Sequence, residues 1–584
     1  MAKFEHIVLN IKDNKLQNFE ELRQIQKNTL SNGNVIYIYR SSKSKKIYIG
    51  QTKHFITRHR QHYSGKEKKF NDAKFDQVIV LISTYFNGSA LDDVESQLIT
   101  YFIADNPSKK KQQVSYDQDK IINLTGGNSV NDYAERENVA LEVILPFWEK
   151  VLAPMKWVST PTLDELKANA LVKYSPIKQL TEQQSQLINE ILSYDKKNYV
   201  INGDAGTGKT VLLTHLVAQF LQSNKDKSIA IVVQPNWIKI ATEIFKVYGL
   251  NRSNLKILSS TKLIKLQEKF DTIIVDEAHK LSKRGPKQMY SFNSIYKIPD
   301  FSSCESHLEP LLQLSDQLIL MYDVLQAIRP ANISRTKFRE LTSDFEQRYL
   351  TTQFRIQAPK GKSYTSEDYI NGIKYLLYKD TGLLELTNFN PNFDRSLFFD
   401  NDLDAYFGFF EDQPLKNLID WTEEDNNYNP EHVNRVLSGL VEPWRQADGN
   451  NPSITHFHEG NISRRWNSTQ ENWINSKDKD AKEQIGSVFA VQGIDLNKVG
   501  VLIGNDLLVN DKGELYGEPD NFHNVNGKHS KSDLELPETR EEFTHFVLNI
   551  YYVLLTRGID GVRIGFWNNN DFKNYFKDTF NIKW

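Results

Sequence analysis

The string Gly203-Asp204-Ala205-Gly206-Thr207-Gly208-Lys209-Thr210 has the spacing G-x-x-x-x-G-K-[ST]. Glycines let backbone N–H groups curl around an anion, a lysine at this spacing reaches β- and γ-phosphate oxygens, and the next hydroxyl takes Mg²⁺. Gly203, Ala205, Gly206, Thr207, Gly208, Lys209 and Thr210 are therefore the expected phosphate-binding residues. Downstream, Asp271-Thr272-Ile273-Ile274-Val275-Asp276-Glu277-Ala278-His279 is an apolar run ending in a carboxylate pair. Asp276 at such a strand end would join the Mg²⁺ shell, and Glu277 would polarise a water against the γ-phosphate.

Such groups act only if elements hold them. Tyr199-Val200-Ile201-Asn202 reads as a short buried strand before the glycine-rich loop, and VLLTHLVAQFL as the helix after it. Val35 to Arg40 and Ile47 to Thr52, rich in β-branched and aromatic residues, flank a polar SSKSKK connection and predict a hairpin. Thr57 to His62 and Leu91 to Phe102 read as helices, the second containing Glu95. A helix is expected over Leu141 to Leu152, followed by a stretch punctuated by Pro154, Pro161 and Pro176, the composition of a joint between domains.

At 584 residues the chain is too long for one hydrophobic core. A single cysteine, Cys304, excludes a disulfide framework and a multi-cysteine zinc site. No apolar run approaches a bilayer-spanning length and the N-terminus lacks a signal-peptide layout, so the cytoplasm is the expected compartment and no membrane is expected as a partner. Net charge is only -2, but Arg40 to Lys74 holds 11 basic and 2 acidic residues, a concentration that attracts a phosphate backbone.

Ile36-Tyr37, Tyr48-Ile49-Gly50, Arg58 and His62 on one helix, and Glu95 on the next resemble, in order and spacing, the GIY-YIG nuclease family over about residues 33 to 128; Val35 stands where that family usually has glycine. The resemblance implies that Glu95 holds one Mg²⁺, with Mn²⁺ as an alternative, and that Arg58 stabilises the transition state. Tyr37 or Tyr48 helps to deprotonate or orient the water, and the choice between them stays open.

Later strings follow the order of superfamily 1 helicase motifs. Leu180-Thr181-Glu182-Gln183-Gln184 resembles the adenine-reading Q motif, with Gln184 as reader and Gln183 as the fallback. Asp323-Val324-Leu325-Gln326 resembles motif III, which makes Gln326 the γ-phosphate sensor; Tyr322 replaces the usual glycine. Leu350 to Arg355 resembles motif IV and Tyr552 to Arg557 motif VI, supplying Arg355 and Arg557 as arginine fingers. SVFAVQGIDL, with Gly493 and Asp495, resembles motif V. VFAVQGIDLNKVGVLIG, Arg465-Trp466-Asn467-Ser468 and NIYYVLLTRG are most similar to the Schlafen-group helicase-like family of bacteria, over about residues 180 to 570.

The expected fold class is α/β: a small α+β GIY-YIG domain at 1–130, a helical connector at 131–179, and two RecA-like P-loop domains at 180–345 and 346–584, the second with a helical insertion at about 380–480. The resemblance implies an ATP- and Mg²⁺-dependent nuclease-helicase acting on nucleic acid, DNA in preference to RNA, in defence against phage or mobile DNA. Two other readings stay open: an ATP-gated nucleic-acid sensor with little unwinding, and a nuclease directed at RNA, including tRNA. Trp237 is the expected base-stacking residue, whereas Trp421, Trp444 and Trp466 are expected in the core, and His456 and His458 beside Glu459 as surface residues rather than metal ligands.

Overall fold

A computed structural model describes residues 3–582 except 65–69, 71, 106, 111–112, 117–134, 164–165, 167–171, 173, 176–179, 195, 225, 236, 249, 251, 286–292, 353–355, 357, 360, 401, 403, 431, 444, 446–447, 449–450, 452, 468–482, 492–495 and 525–530. Arg355, Gly493, Asp495 and Trp444 thus lie outside the described residues. By internal contacts the chain divides into two compact units: Met1–Lys197 with Thr210–Ser259 and Phe270–Ile274, and Asn198–Lys209 with Ser260–Lys269 and Val275–Trp584.

The first unit begins with β1 (Phe4–Lys12), β2 (Lys15–Leu16), α1 (Gln24–Asn32), β3 (Val35–Arg40), β4 (Ile47–Thr52), α2 (Phe55–His62), β5 (Gln77–Ser83) and α3 (Gly88–Ala104). The strands form an antiparallel sheet in the order β2-β1-β5-β3-β4. Alternation along β3 and β5 sends Val35, Tyr37, Tyr39, Val78 and Val80 to one face, where they pack with Phe55, Phe70 and Phe75. Ile36, Ile38, Ile79 and Leu81, also fully buried, have the opposite parity. α3, started by the Asn87 side chain accepting the Ala90 N–H, packs on β3 and β4. A short hairpin, β6 (Pro107–Lys110) and β7 (Gln113–Tyr116), follows.

Residues 136–152 are helical throughout, so the helix expected over Leu141 to Leu152 starts earlier than its apolar spacing predicts, and they pack on α3. Trp148 is fully buried, 5.9 Å from the Tyr101 ring and 5.1 Å from the Phe102 ring, and its indole N–H donates to the Thr160 carbonyl at 3.0 Å. The Asp105 carboxylate accepts the N–H groups of Ser159 (2.7 Å) and Thr160 (2.6 Å), and Arg40 lies over the Trp157 ring.

Next come α4 (Glu182–Ser193), β8 (Tyr199–Gly203), α5 (Lys209–Ser223), β9 (Ile229–Val232), α6 (Ile238–Val247), β10 (Leu255–Leu258), β11 (Phe270–Val275), β12 (Ser315–Tyr322), α7 (Arg335–Leu341) and β13 (Glu346–Leu350). β9 runs parallel to β10 in the first unit, and β8 runs parallel to both β12 and β13 in the second. Strands covered on both faces read as continuous apolar runs, as IIV of β11 and LILMY of β12 do.

The rest of the second unit contains α8 (Ser366–Tyr378), β14 (Phe407–Phe410), α9 (Pro414–Tyr428), β15 (Arg435–Ser438), β16 (Phe457–Glu459), β17 (Ile462–Trp466), β18 (Gln484–Ile485), β19 (Leu496–Ile503), the hairpin β20 (Leu507–Val509) and β21 (Leu515–Gly517), α10 (Pro537–Leu555), β22 (Gly558–Phe566) and α11 (Asn570–Phe580). A four-stranded sheet, β14-β22-β19-β15, is parallel throughout. The stretch expected as a helical insertion therefore contributes β14 and β15 to the sheet itself, with α9 packed on it. Among the described residues no helix is long and apolar enough to cross a membrane.

Candidate active sites

In the first unit the hairpin β3–β4 sets Tyr37 opposite Gly50 and Tyr39 opposite Tyr48. A Cβ on Gly50 would lie 2.5 Å from the Tyr37 Cζ and Oη, so glycine here is the condition for the Tyr37 ring to lie across β4. The Tyr37 hydroxyl is 3.1 Å from His62 Nε2; the Tyr48 ring stacks 6.3 Å from that of Tyr37 and meets His62 edge-on at 4.9 Å. One turn earlier on α2, His59 Nδ1 is 2.8 Å from the Tyr39 hydroxyl, and burial holds His59 down at about 4, a neutral core imidazole. Val35, at the family's glycine position, is fully buried in the strand.

Tyr37, Tyr48, Arg58, His62 and Glu95 converge. The Arg58 charge acts on both Tyr37 and Glu95. Tyr37 is 1 % exposed, and burial first, then Tyr48, pushes its phenol far above the ordinary range. Tyr48 keeps a partly exposed ring. Burial raises the Glu95 carboxyl to about 7; a hydrogen bond from Gln51 and the Arg58 charge oppose this, and Asp92 adds to it. Gln51 also donates to Asp92. A carboxylate held up in this way, with a second one beside it, suits a divalent cation that keeps most of its waters.

In the second unit the glycine-rich loop takes the backbone conformation that its glycines allow, with Gly206 at φ 88° and Gly208 at φ 81°. Lys209 Nζ donates to the carbonyls of Gly203 (2.5 Å) and Asp204 (2.9 Å) and lies 3.6 Å from Asp323 Oδ2. Asp323 Oδ1 accepts the Leu325 N–H, and Oδ2 accepts the Gln326 side-chain amide at 2.7 Å; Asp323 and Gln326 are both buried. Tyr322, in place of the usual glycine, stacks on Phe338 of α7 at 4.0 Å.

Asp276 and Glu277 end β11 as expected. Glu277 has φ 53°, the left-handed region that non-glycine residues rarely occupy. Its Oε2 lies 2.8 Å from His279 Nε2 and 3.6 Å from Lys280 Nζ. Burial works against the Glu277 charge, but Lys280 and then His279 outweigh it and keep the carboxyl below its usual range. Burial and then the Glu277 charge push Asp276 up. A divalent cation on Asp276 would relieve that penalty, so the donor set fits Mg²⁺. Arg557 follows α10 and is 1 % exposed, with its carbonyl accepting the Leu496 N–H of β19.

Other expected residues sit as follows. Thr210 is half-buried on the first turn of α5. Gln184 is buried, and its Oε1 accepts the Thr181 N–H at 3.1 Å in a capping box. Trp237 meets the Tyr174 ring edge-on at 5.5 Å. Trp466 is buried against Phe457, and Trp421 lies beneath Lys498 and Arg563. His456 pairs with Asp448 and His458 with Ser463, while Glu459 caps α9. Sequence reading missed Asp204, Lys374, His279 and Lys280. The one signal for Lys374 was a lysine on the apolar face of YINGIKYLLY.

Two family models match the chain: Schlafen group 3, DNA/RNA helicase domain, over residues 196–568, and GIY-YIG catalytic domain over residues 33–104. An uncharacterized protein of Saccharomyces cerevisiae is 26% identical over 466 residues, 70% of this chain and 92% of its own length. Similar solved structures include the arterivirus nonstructural protein 10 helicase, at 11% identity and TM-score 0.29, with 66% of this chain and 64% of that chain covered. The DUF1998 helicase MrfA bound to DNA and AMPPNP is also 11% identical, at TM-score 0.31, with 71% and 52% covered. The chain thus spans less than two thirds of either helicase. With a helicase-domain match over more than half of its residues, the chain belongs to the Schlafen group 3 DNA/RNA helicase-domain family and carries a GIY-YIG catalytic domain ahead of that match.

Proposed function

We propose that this nuclease-helicase hydrolyses ATP to translocate on single-stranded nucleic acid, with DNA as its substrate, and feeds the strand to the GIY-YIG centre. The observation that carries this reading is the convergence of Lys209, Asp204, Asp323 and Gln326 around one glycine-rich loop in a helicase-family chain. In this reading Lys209 binds the β- and γ-phosphates, Glu277 orients the attacking water, and Arg557, with Arg355 by family resemblance, neutralises the transferred phosphoryl group. Thr210 and Asp276 would hold Mg²⁺, which would supply charge neutralisation at the phosphates. Gln184 reads the adenine base. Gly493 and Asp495 belong to the segment that follows the nucleic-acid backbone.

In the nuclease centre Glu95 would hold the metal, and Arg58 stabilises the developing phosphorane charge. Of the two tyrosines, Tyr48 meets the water, because its ring is partly exposed whereas Tyr37 is enclosed with His62. A bacterial setting and defence against phage or mobile DNA complete the proposal.

Cleavage and ATP hydrolysis, measured together on single- and double-stranded DNA and RNA, test it. Glu95→Ala should abolish cleavage with ATP hydrolysis intact. Glu277→Gln should retain ATP, lose hydrolysis by about 10³-fold or more, and lose ATP-dependent cleavage. Normal cleavage by an ATP-retaining Glu277→Gln protein would end the coupled-motor reading, and cleavage by Glu95→Ala would end the nuclease assignment.

A further inference from the structure

Lys374 stands out among the ionisable residues that the reading above leaves without a task. It sits on α8, a helix started by a Thr365–Asp368 capping box, between the buried residues Ile373 and Leu376, and its side chain is fully enclosed. Its Nζ donates to Asp204 Oδ2 at 2.6 Å and to the Asn388 carbonyl at 3.1 Å. A buried ammonium is tolerated only where a carboxylate and further acceptors replace its water, and here both are present.

The partner makes this pair more than a packing feature. Asp204 is the second residue of the glycine-rich loop, and its carbonyl accepts from both Lys209 Nζ and the Thr207 hydroxyl, each at 2.9 Å. One residue therefore ties the phosphate-binding lysine to α8: its backbone holds Lys209 and its carboxylate holds Lys374. Burial raises the Asp204 carboxyl, and the Lys374 charge draws it back down.

α8 is braced in turn to α10. The Tyr369 hydroxyl donates to the Leu555 carbonyl at 2.8 Å, two residues before Arg557, and the Tyr378 hydroxyl donates to Asn549 Oδ1 at 2.8 Å. The Asn549 amide donates to the carbonyls of Val324 and Ala327, on the turn that holds Asp323 and Gln326. Hydrogen bonds thus run from the glycine-rich loop through Asp204 and Lys374 to α8, and on to the end of α10 and the Asp323 turn.

We propose that Lys374 is a positioning residue of the ATPase: through Asp204 it fixes the glycine-rich loop relative to the α8–α10 pair, so that bound nucleotide and Arg557 come into register for hydrolysis. This rests on the ATP-site reading above. Because its Nζ is committed to Asp204 and the Asn388 carbonyl and its side chain is fully enclosed, loss of Lys374 is felt in turnover rather than in nucleotide binding.

The test uses the full chain, fluorescent ADP for binding and ATP hydrolysis with and without single-stranded DNA. Lys374→Met and Asp204→Asn should each lower kcat about tenfold or more while the ADP Kd stays within about threefold of wild type. Because the pair acts as a unit, Asp204→Asn/Lys374→Met should lose no more than the worse single variant. That double variant buries no unmatched charge, so its melting temperature should stay near that of wild type and separate the effect from misfolding. A Lys374→Met kcat within about twofold of wild type overturns the proposal, as do single losses that multiply in the double variant. Equal losses in Kd and kcat in a double variant that melts early reduce the pair to a structural contact and overturn it too. Wild-type protein that fails to bind ADP, or Lys209→Ala that binds it equally well, overturns the ATP-site reading itself.

Discussion

Glu95 keeps its proton to about 7 because burial outweighs the Gln51 hydrogen bond and the Arg58 charge, with Asp92 adding to the effect. A carboxyl raised in this way is protonated over much of the range in which an ordinary glutamate, near 4.5, is ionised. Protons and metal therefore compete at this one group, and metal affinity weakens as pH falls. Cleavage at subsaturating Mg²⁺ should rise as pH passes through about 7 and level off above it. Asp92→Asn removes a charge that opposes ionisation, so the midpoint should move to lower pH. A pH-rate series on both proteins checks the sign, and an upward shift in the variant would contradict the assigned cause. The same sign governs folding: the folded chain holds this proton more tightly than the unfolded one, so the contribution to stability falls as pH rises from the ordinary value to about 7.

Among elements, the β3–β4 hairpin depends on one position. With the Tyr37 ring over Gly50, Gly50→Ala must move either the ring or the strand, an overpacking cost of about 1–3 kcal/mol. The expected result is a lower melting temperature for the nuclease domain together with reduced cleavage, while ATP hydrolysis is unchanged; an unshifted midpoint would show that the ring has room elsewhere. This hairpin and the β8–loop–α5 unit were legible because short-range patterns specify them: β-branched and aromatic runs about a polar turn, and glycines spaced before a helix. β14 and β15 were not legible. FGFF is a half-buried and RVLS a buried parallel strand, both without alternation and set in a stretch rich in Asn and Asp, and four residues carry no period. The Asp204–Lys374 pair was hidden for another reason: its partners are 170 residues apart, and nothing local to either names the other. Tyr322 looked like a departure from a glycine position, but its stacking on Phe338 gives the ring a purpose that a tetrapeptide cannot reveal.

For the whole second unit, Asp506 is a joint under tension. Its carboxylate accepts the Tyr551 hydroxyl of α10 at 2.5 Å and the Leu440 N–H, and its carbonyl accepts the Glu518 N–H, so one residue gathers the ends of β19 and β15, α10 and the β20–β21 hairpin. Burial outweighs those hydrogen bonds and raises the carboxyl from 3.8 to about 7. The folded state thus prefers the protonated form, and stability falls as pH rises between those two values. Between pH 3.8 and about 7 the melting temperature should fall relative to that of Asp506→Asn, which cannot ionise. Parallel curves in a thermal series would contradict this.

The helical stretch 136–152 has a consequence for how such a protein can be recombined. Trp148 covers Tyr101 and Phe102, and the Asp105 carboxylate accepts the backbone N–H groups of Ser159 and Thr160. A nuclease cassette cut at the end of α3 would leave an aromatic face wet and a carboxylate stripped of its backbone donors. The transplantable module, for an engineer joining it to another motor or for gene fusion in evolution, extends to about Thr160.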